Sequence, residues 1–77
     1  MKPVPDIHAE FMFSLLDYQT WNLYCNDHFV GQITLNHLDR SVMLALAEFE
    51  DDPWRLRQLR SYSRWRAWLG QHLRDKS

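Results

Sequence analysis

The sequence predicts an α+β domain, in which a three-stranded antiparallel β-meander precedes two α-helices packed on one sheet face. The first half of the chain alternates apolar and polar residues in short runs, as half-buried strands do. The second half spaces its apolar residues by three and four positions, as helices do. With 77 residues, 45% of them apolar, we expect one small domain over residues 9–74. Residues 1–8 are expected to form an N-terminal arm, and residues 75–77 a flexible C-terminus.

Three strands are expected at about 10–16, 20–25 and 29–35. The last two flank Asn26-Asp27-His28, a turn candidate of residue types that accept positive φ. A three-residue loop would bring six residues of this hairpin onto one face, with Asn22, Tyr24, Val30 and Gln32 on the other. That register is defined by three opposed pairs, namely Cys25 with Phe29, Leu23 with Gly31, and Trp21 with Ile33.

Two helices are expected after the strands, at about 37–50 and 53–73. Asn36 or Asp39 can serve as the N-cap of the first helix, because their side chains accept bonds from unpaired N–H groups. Asp52 followed by Pro53 is a start signal for the second helix, since proline is favoured at the first helical position.

The charged residues divide the chain into an acidic part and a basic part. The first 53 residues hold nine acids and two bases, a net charge of −7, and the remainder holds seven bases and one acid, a net charge of +6. In the basic part, Arg57, Arg60 and Arg64 recur three and four residues apart, and Trp68 continues the same helical stripe. Arginine and tryptophan dominate binding hot spots, so we expect these four residues to dock on an acidic patch of a larger protein.

A second candidate surface lies on the outer face of the predicted sheet. Tyr24, Val30 and Thr34 fall on that face by alternation. Helices packed on the opposite face would leave them exposed as a binding or dimer surface. The alternative is that the N-terminal arm folds over them.

Neither catalysis nor metal binding is expected. Cys25 and His28 could form a thiol–imidazole pair, but they flank a turn and no third group is evident to orient the imidazole. With His37 they are also the candidates for metal ligands. Structural zinc sites usually use two or more thiolates and this chain has one cysteine, so we expect no metal and no cofactor.

These features predict a small non-enzymatic regulator or adaptor that acts by protein–protein binding. Domains of this size often act as phage-type or mobile-element inhibitors of a larger host machine, such as RNA polymerase or a defence complex. The alternative is a nucleic-acid-binding transcriptional regulator using the arginine-rich C-terminal helix, which a net charge of −1 disfavours. A homodimer that joins the acidic part of one chain to the basic part of another is a third interpretation.

The sequence also indicates a compartment. It shows no apolar segment typical of a secretory signal and no apolar run long enough to cross a membrane. A single cysteine is compatible with a reducing environment. We expect a cytoplasmic protein that does not bind membranes.

Overall fold

The computed structural model describes residues 7–46, 56 and 59–73. In these ranges the chain forms four strands and a helix: β1 (Ile7–Leu15), β2 (Tyr18–Cys25), β3 (His28–Asn36), β4 (Val42–Leu46) and α1 (Tyr62–His72). The strands make one antiparallel sheet in the order β1-β2-β3-β4. The prediction of three strands and two helices is therefore wrong, although the fold is still of the α+β type. Most of the predicted arm and the predicted C-terminal tail lie outside the described residues.

The predicted helix at 37–50 is wrong, because its central part forms the strand β4. Along β4 the residues alternate between half-buried and exposed, which is the period of a strand. A five-residue apolar run fits the helical and the strand period equally well. Pairing with β3 decides between them, since it satisfies backbone groups of β3 that a helix would leave unpaired. Residues 47–50 lie outside the described residues.

The polar residues expected to cap that helix close the β3–β4 turn instead. The Asn36 side-chain oxygen accepts hydrogen bonds from the N–H groups of Leu38 at 2.8 Å and Asp39 at 3.3 Å. The Asp39 carboxylate accepts one from the Ser41 N–H at 2.9 Å, and hydrogen bonds from Ser41 lower the pKa of this carboxyl group. Asn and Asp side chains bond backbone N–H groups in turns and at helix starts alike, so the same residues serve either structure.

The centre of the β2–β3 hairpin has the predicted register. Two of the three predicted pairs are confirmed, Leu23 with Gly31 and Trp21 with Ile33. The side chains of Trp21, Leu23 and Ile33 point to the face on which α1 packs, and all four positions are buried. The alternation of apolar residues therefore identified the core face correctly at the centre of this hairpin.

The tip of the same hairpin differs from the prediction. The loop has two residues, Asn26 and Asp27, whose φ angles are 51° and 68°. Two positive φ angles in a row define the type I′ turn, whose twist matches that of paired strands. Cys25 therefore pairs with His28 and not with Phe29. The predicted three-residue loop was wrong by one residue.

The helix α1 begins at Tyr62, and the start predicted at residue 53 lies outside the described residues. Ser61 has an extended backbone, with φ −109° and ψ 149°, and its hydroxyl oxygen accepts a hydrogen bond from the Arg64 N–H at 3.1 Å. This is N-cap geometry. Residues 59 and 60 are not helical, so the predicted helix over 53–73 is not continuous.

Ser61→Ala is expected to lower the free energy of unfolding by about 1 kcal/mol, because the first turn of α1 loses its capping acceptor. Urea unfolding followed by circular dichroism measures this change. Ser61→Asp is the matched control, since aspartate caps as well as serine and should keep the original midpoint. An alanine variant as stable as the parent chain would show that Ser61 does not hold the start of α1.

The core lies between one face of the sheet and α1. The helix contributes Trp65 and Leu69, and the buried Leu56 joins them. The sheet contributes Ala9, Trp21, Leu23, Cys25, Val30, Ile33 and Leu35. A backbone bridge between Ala9 and Leu73 fixes the end of α1 beside β1. The start of α1 therefore lies near the opposite end of the sheet, where the β1–β2 and β3–β4 turns are.

Candidate partner-binding surfaces

Three of the four residues predicted to bind a partner lie in the described part of the chain. Arg60 and Arg64 are exposed and Trp68 is half-buried, while Arg57 lies outside the described residues. Arg64 and Trp68 are four residues apart on α1, so their side chains share one side of the helix. Arg60, Arg64 and Trp68 are called the Arg64–Trp68 flank below.

Trp68 is held in place by two aromatic contacts. Its ring meets the buried ring of Trp65 edge to face, with centroids 5.4 Å apart. On its other side it stacks on His72 at 4.4 Å with an interplanar angle of 8°. The His72 Nδ1–H donates a hydrogen bond to the Trp68 carbonyl oxygen at 2.9 Å, which fixes that imidazole. The Trp68 ring is therefore rigid and rests on the core residue Trp65. The helical spacing had instead predicted that it lies among solvent-exposed arginines.

The second predicted surface is wrong in one of its three members. Tyr24 and Thr34 are half-buried on the outer face, but Val30 is 0% exposed and belongs to the core. Val30 is an extra residue in β3, where the register shifts between the pairs made by Leu23 and Tyr24. Such a bulge reverses the alternation beyond it. Phe29 takes the outer position instead, with its ring centroid 6.1 Å from that of Tyr24.

The structure does not bring the metal-ligand candidates together. Cys25 and His28 form a pair at the tip of the β2–β3 hairpin, and Cys25 is buried. His37 follows the far end of β3, a strand of nine residues, and so lies ~30 Å away along the strand direction. Within the described ranges no three His, Cys, Asp or Glu side chains are grouped around a common point.

Most of the exposed apolar residues at the β1–β2 hairpin were not predicted from the sequence. Six large apolar side chains there are at least 40% exposed, and Leu16 at the turn is 89% exposed with a φ of 55°. The set, called the apolar hairpin below, comprises Phe11, Met12, Phe13, Leu15, Leu16 and Tyr18. Its signal in the sequence was a run that is apolar on both sides, which a strand covered on one face does not need. Exposed apolar side chains concentrated on one hairpin are available for contacts with another protein.

A basic cleft was also missed. It is an open cleft of ≈ 770 Å³ between the start of α1, the strand β2 and the β3–β4 turn. Its lining side chains are those of Gln19, His37, Arg40, Tyr62, Ser63 and Arg66. They come from β2, the β3–β4 turn and α1, so no single stretch of sequence indicates the cleft.

One wall of the basic cleft is a chain of three hydrogen-bonded side chains. His37 bonds through Nε2 to the Gln19 side-chain oxygen and through Nδ1 to the Tyr62 hydroxyl. Because the Gln19 oxygen can only accept, Nε2 carries the proton, and in the neutral imidazole Nδ1 accepts from the Tyr62 hydroxyl. The His37 N–H also donates to the Asp17 carbonyl oxygen at 2.8 Å. These bonds join β2, both turns and α1 into one frame.

Comparisons with known proteins add no family to this description. No family model, no curated protein and no solved structure matches the chain. Among the described residues, no helix has the length and apolar character needed to cross a lipid bilayer. Proposals about function therefore rest on the side chains and surfaces described above.

Proposed function

We propose that this protein is a small non-enzymatic regulator or adaptor that binds an acidic surface of a larger protein through the Arg64–Trp68 flank. The observation that carries the proposal is the setting of Trp68. Its ring is held between Trp65 and His72, yet part of it remains in solvent beside the exposed Arg64. A ring that is already immobile loses little entropy on binding, and Trp and Arg are the residues that contribute most to interfaces.

The electrostatics of α1 support an acidic partner. The first turn of the helix contains no acid and the helix carries Arg64 and Arg66. A helix N-terminus favours negative charge, so arginines near it are not placed there for helix stability. A carboxylate of a partner protein would pair with the exposed Arg64 on the side of α1 that carries Trp68.

The apolar hairpin favours a protein partner over a nucleic acid. Its exposed Phe, Leu and Met side chains have no role in contacting phosphates, which take hydrogen bonds and positive charge. Protein interfaces, in contrast, combine apolar cores with arginine and aromatic residues. We infer a cytoplasmic location for this binding, as the single cysteine requires no oxidising compartment.

Arg64→Glu is expected to reduce capture of the native partner by about tenfold or more, because it places a carboxylate against an acidic surface. The measurement is quantitative recovery of partner on the immobilised protein. Arg66→Glu is the matched control. It changes the net charge by the same amount at an exposed position on the opposite side of the same helix.

Equal loss of capture in both variants would contradict the proposal, since it would reflect net charge alone. Retention of capture by Arg64→Glu would do the same. The nucleic-acid alternative is tested with duplex DNA at rising salt. If the protein binds DNA tightly at low salt and its affinity falls steeply with added salt, the Arg64–Trp68 flank binds phosphates and the nucleic-acid alternative is correct.

A further inference from the structure

The basic cleft presents groups that donate hydrogen bonds or carry positive charge. Arg40 and Arg66 supply two guanidinium groups, and Ser63 supplies a hydroxyl. Among the described residues that line the cleft, none is acidic. A concave surface with two arginines and no acidic residue in its described lining is suited to an anion.

Each arginine of the cleft is positioned by its own part of the fold. The Arg66 guanidinium lies over the Tyr62 ring, 5.8 Å from its centroid, where the ring face attracts a cation. Arg40 has a φ of 60°, which is uncommon for a residue with a long side chain. The turn that imposes this angle is closed by the hydrogen bonds of Asn36 and Asp39. The two cations therefore approach the cleft from different elements.

The start of α1 adds a third source of positive potential. Ser61 satisfies the Arg64 N–H, and the N–H groups of Tyr62 and Ser63 have no acceptor within the helix, because they belong to its first turn. The helix dipole places a partial positive charge at this end. Tyr62 and Ser63 both line the cleft, so these amide groups lie at its edge.

We infer that the basic cleft binds a phosphate monoester. A planar carboxylate is satisfied by one arginine fork, whereas a tetrahedral dianion can accept from two guanidinium groups, a hydroxyl and backbone amides together. The cleft volume of ≈ 770 Å³ also leaves room for the organic group that carries the phosphate. This site is separate from the Arg64–Trp68 flank, because Arg66 and Arg64 lie on opposite sides of α1. The inference therefore does not depend on the proposed partner binding.

The test is a titration of the ¹⁵N-labelled full chain, followed by amide NMR, with three probes at constant ionic strength. The probes are inorganic phosphate, the blocked amino acid N-acetyl-phosphoserine methylamide, and adenosine monophosphate, with sodium chloride as the reference. We expect saturable shifts at the amides of Ser63 and Arg66. Tighter binding of the blocked phosphoserine would identify a phosphorylated side chain as the source, and tighter binding of the nucleotide would identify a small molecule.

Arg40→Asn and Arg66→Gln are each expected to weaken binding of the best probe by about tenfold, the usual effect of losing one charged hydrogen bond. Asparagine accepts positive φ, so Arg40→Asn should leave the turn and the thermal midpoint unchanged. Arg64→Gln removes the same charge from the other side of α1 and should change probe affinity by less than about twofold.

Two outcomes would overturn the inference. One is shifts that do not saturate and that chloride reproduces, which would reflect ionic screening alone. The other is an effect of Arg64→Gln as large as that of Arg66→Gln, which would show that net charge and not the cleft attracts the probe. Neither outcome bears on capture of the partner protein, so the two proposals fail separately.

Discussion

Gly31→Ala is expected to push β4 off the sheet and to lower the free energy of unfolding by about 3 kcal/mol. A Cβ atom at this position would overlap the carbonyl oxygen of Ala45 and would lie 2.9 Å from the Cα of Leu46. Both are main-chain atoms of a paired strand, so neither can rotate away as the end of a side chain would. Relief requires β4 to move, which breaks its pairing at the position where Leu46 opposes Gly31.

Gly70→Ala is the matched control for this prediction. A Cβ at Gly70 meets no atom within 4 Å, and alanine is the better helix former by about 1 kcal/mol. The same substitution should therefore destabilise the chain at Gly31 and stabilise it at Gly70, as measured by urea unfolding. In the Gly31→Ala variant, the amides of β4 should exchange their hydrogens faster than in the parent chain, because β4 is less firmly paired. A Gly31→Ala variant as stable as the parent chain would contradict the close approach of β4 to β3.

Trp65→Ala is expected to destabilise the protein strongly and to lower its calorimetric midpoint by a large amount. Trp65 is fully buried between the sheet and the rest of α1. Replacing a buried tryptophan by alanine costs about 3–5 kcal/mol, through lost burial and the cavity left behind. A domain of 77 residues has a total stability of roughly 4–12 kcal/mol, so this one substitution removes a large part of it.

Trp65→Phe distinguishes the contribution of ring packing to stability from that of the indole N–H group. The Nε1 of Trp65 is buried and has no hydrogen-bond partner in the described structure, and such a group costs free energy while it stays unsatisfied. Phenylalanine removes it together with part of the ring volume. The loss of stability should therefore be much smaller than for alanine, with a calorimetric midpoint close to that of the parent chain. Equal losses for the two variants would show that a polar contact of the indole is what matters.

The strands could be predicted from the sequence where one face is buried and the alternation is strict. This pattern alone predicted the cross-strand partners of Leu23 and Trp21 correctly. The β4 segment could not be assigned in the same way, because a short apolar run carries both periods and long-range pairing decides between them. Asn36 and Asp39 strengthened the error, since their side chains bind backbone N–H groups in both alternatives.

The candidate sites were harder to predict than the strands. The arginine stripe is local in sequence, so the placement of Arg64 and Trp68 on one side of the helix was visible, whereas Arg60 lies before the helix begins. The basic cleft joins Gln19 and Arg40 to Arg66 across three elements, and no local pattern indicates such a meeting. Val30 was placed on the wrong face because one inserted residue reverses alternation, and a bulge leaves no mark in the order of apolar residues.

The strand order β1-β2-β3-β4 has a consequence for the order in which the protein is assembled. Each strand pairs with its neighbour in the chain, so the sheet can grow by closing short loops in succession. The bridge between Ala9 and Leu73 instead joins distant parts of the chain, and a long loop costs more entropy to close. The docking of α1 is thus expected to be a late event in folding. The basic cleft exists only after that event, because its lining joins α1 to β2 and the β3–β4 turn, so an opening of the helix would abolish the cleft.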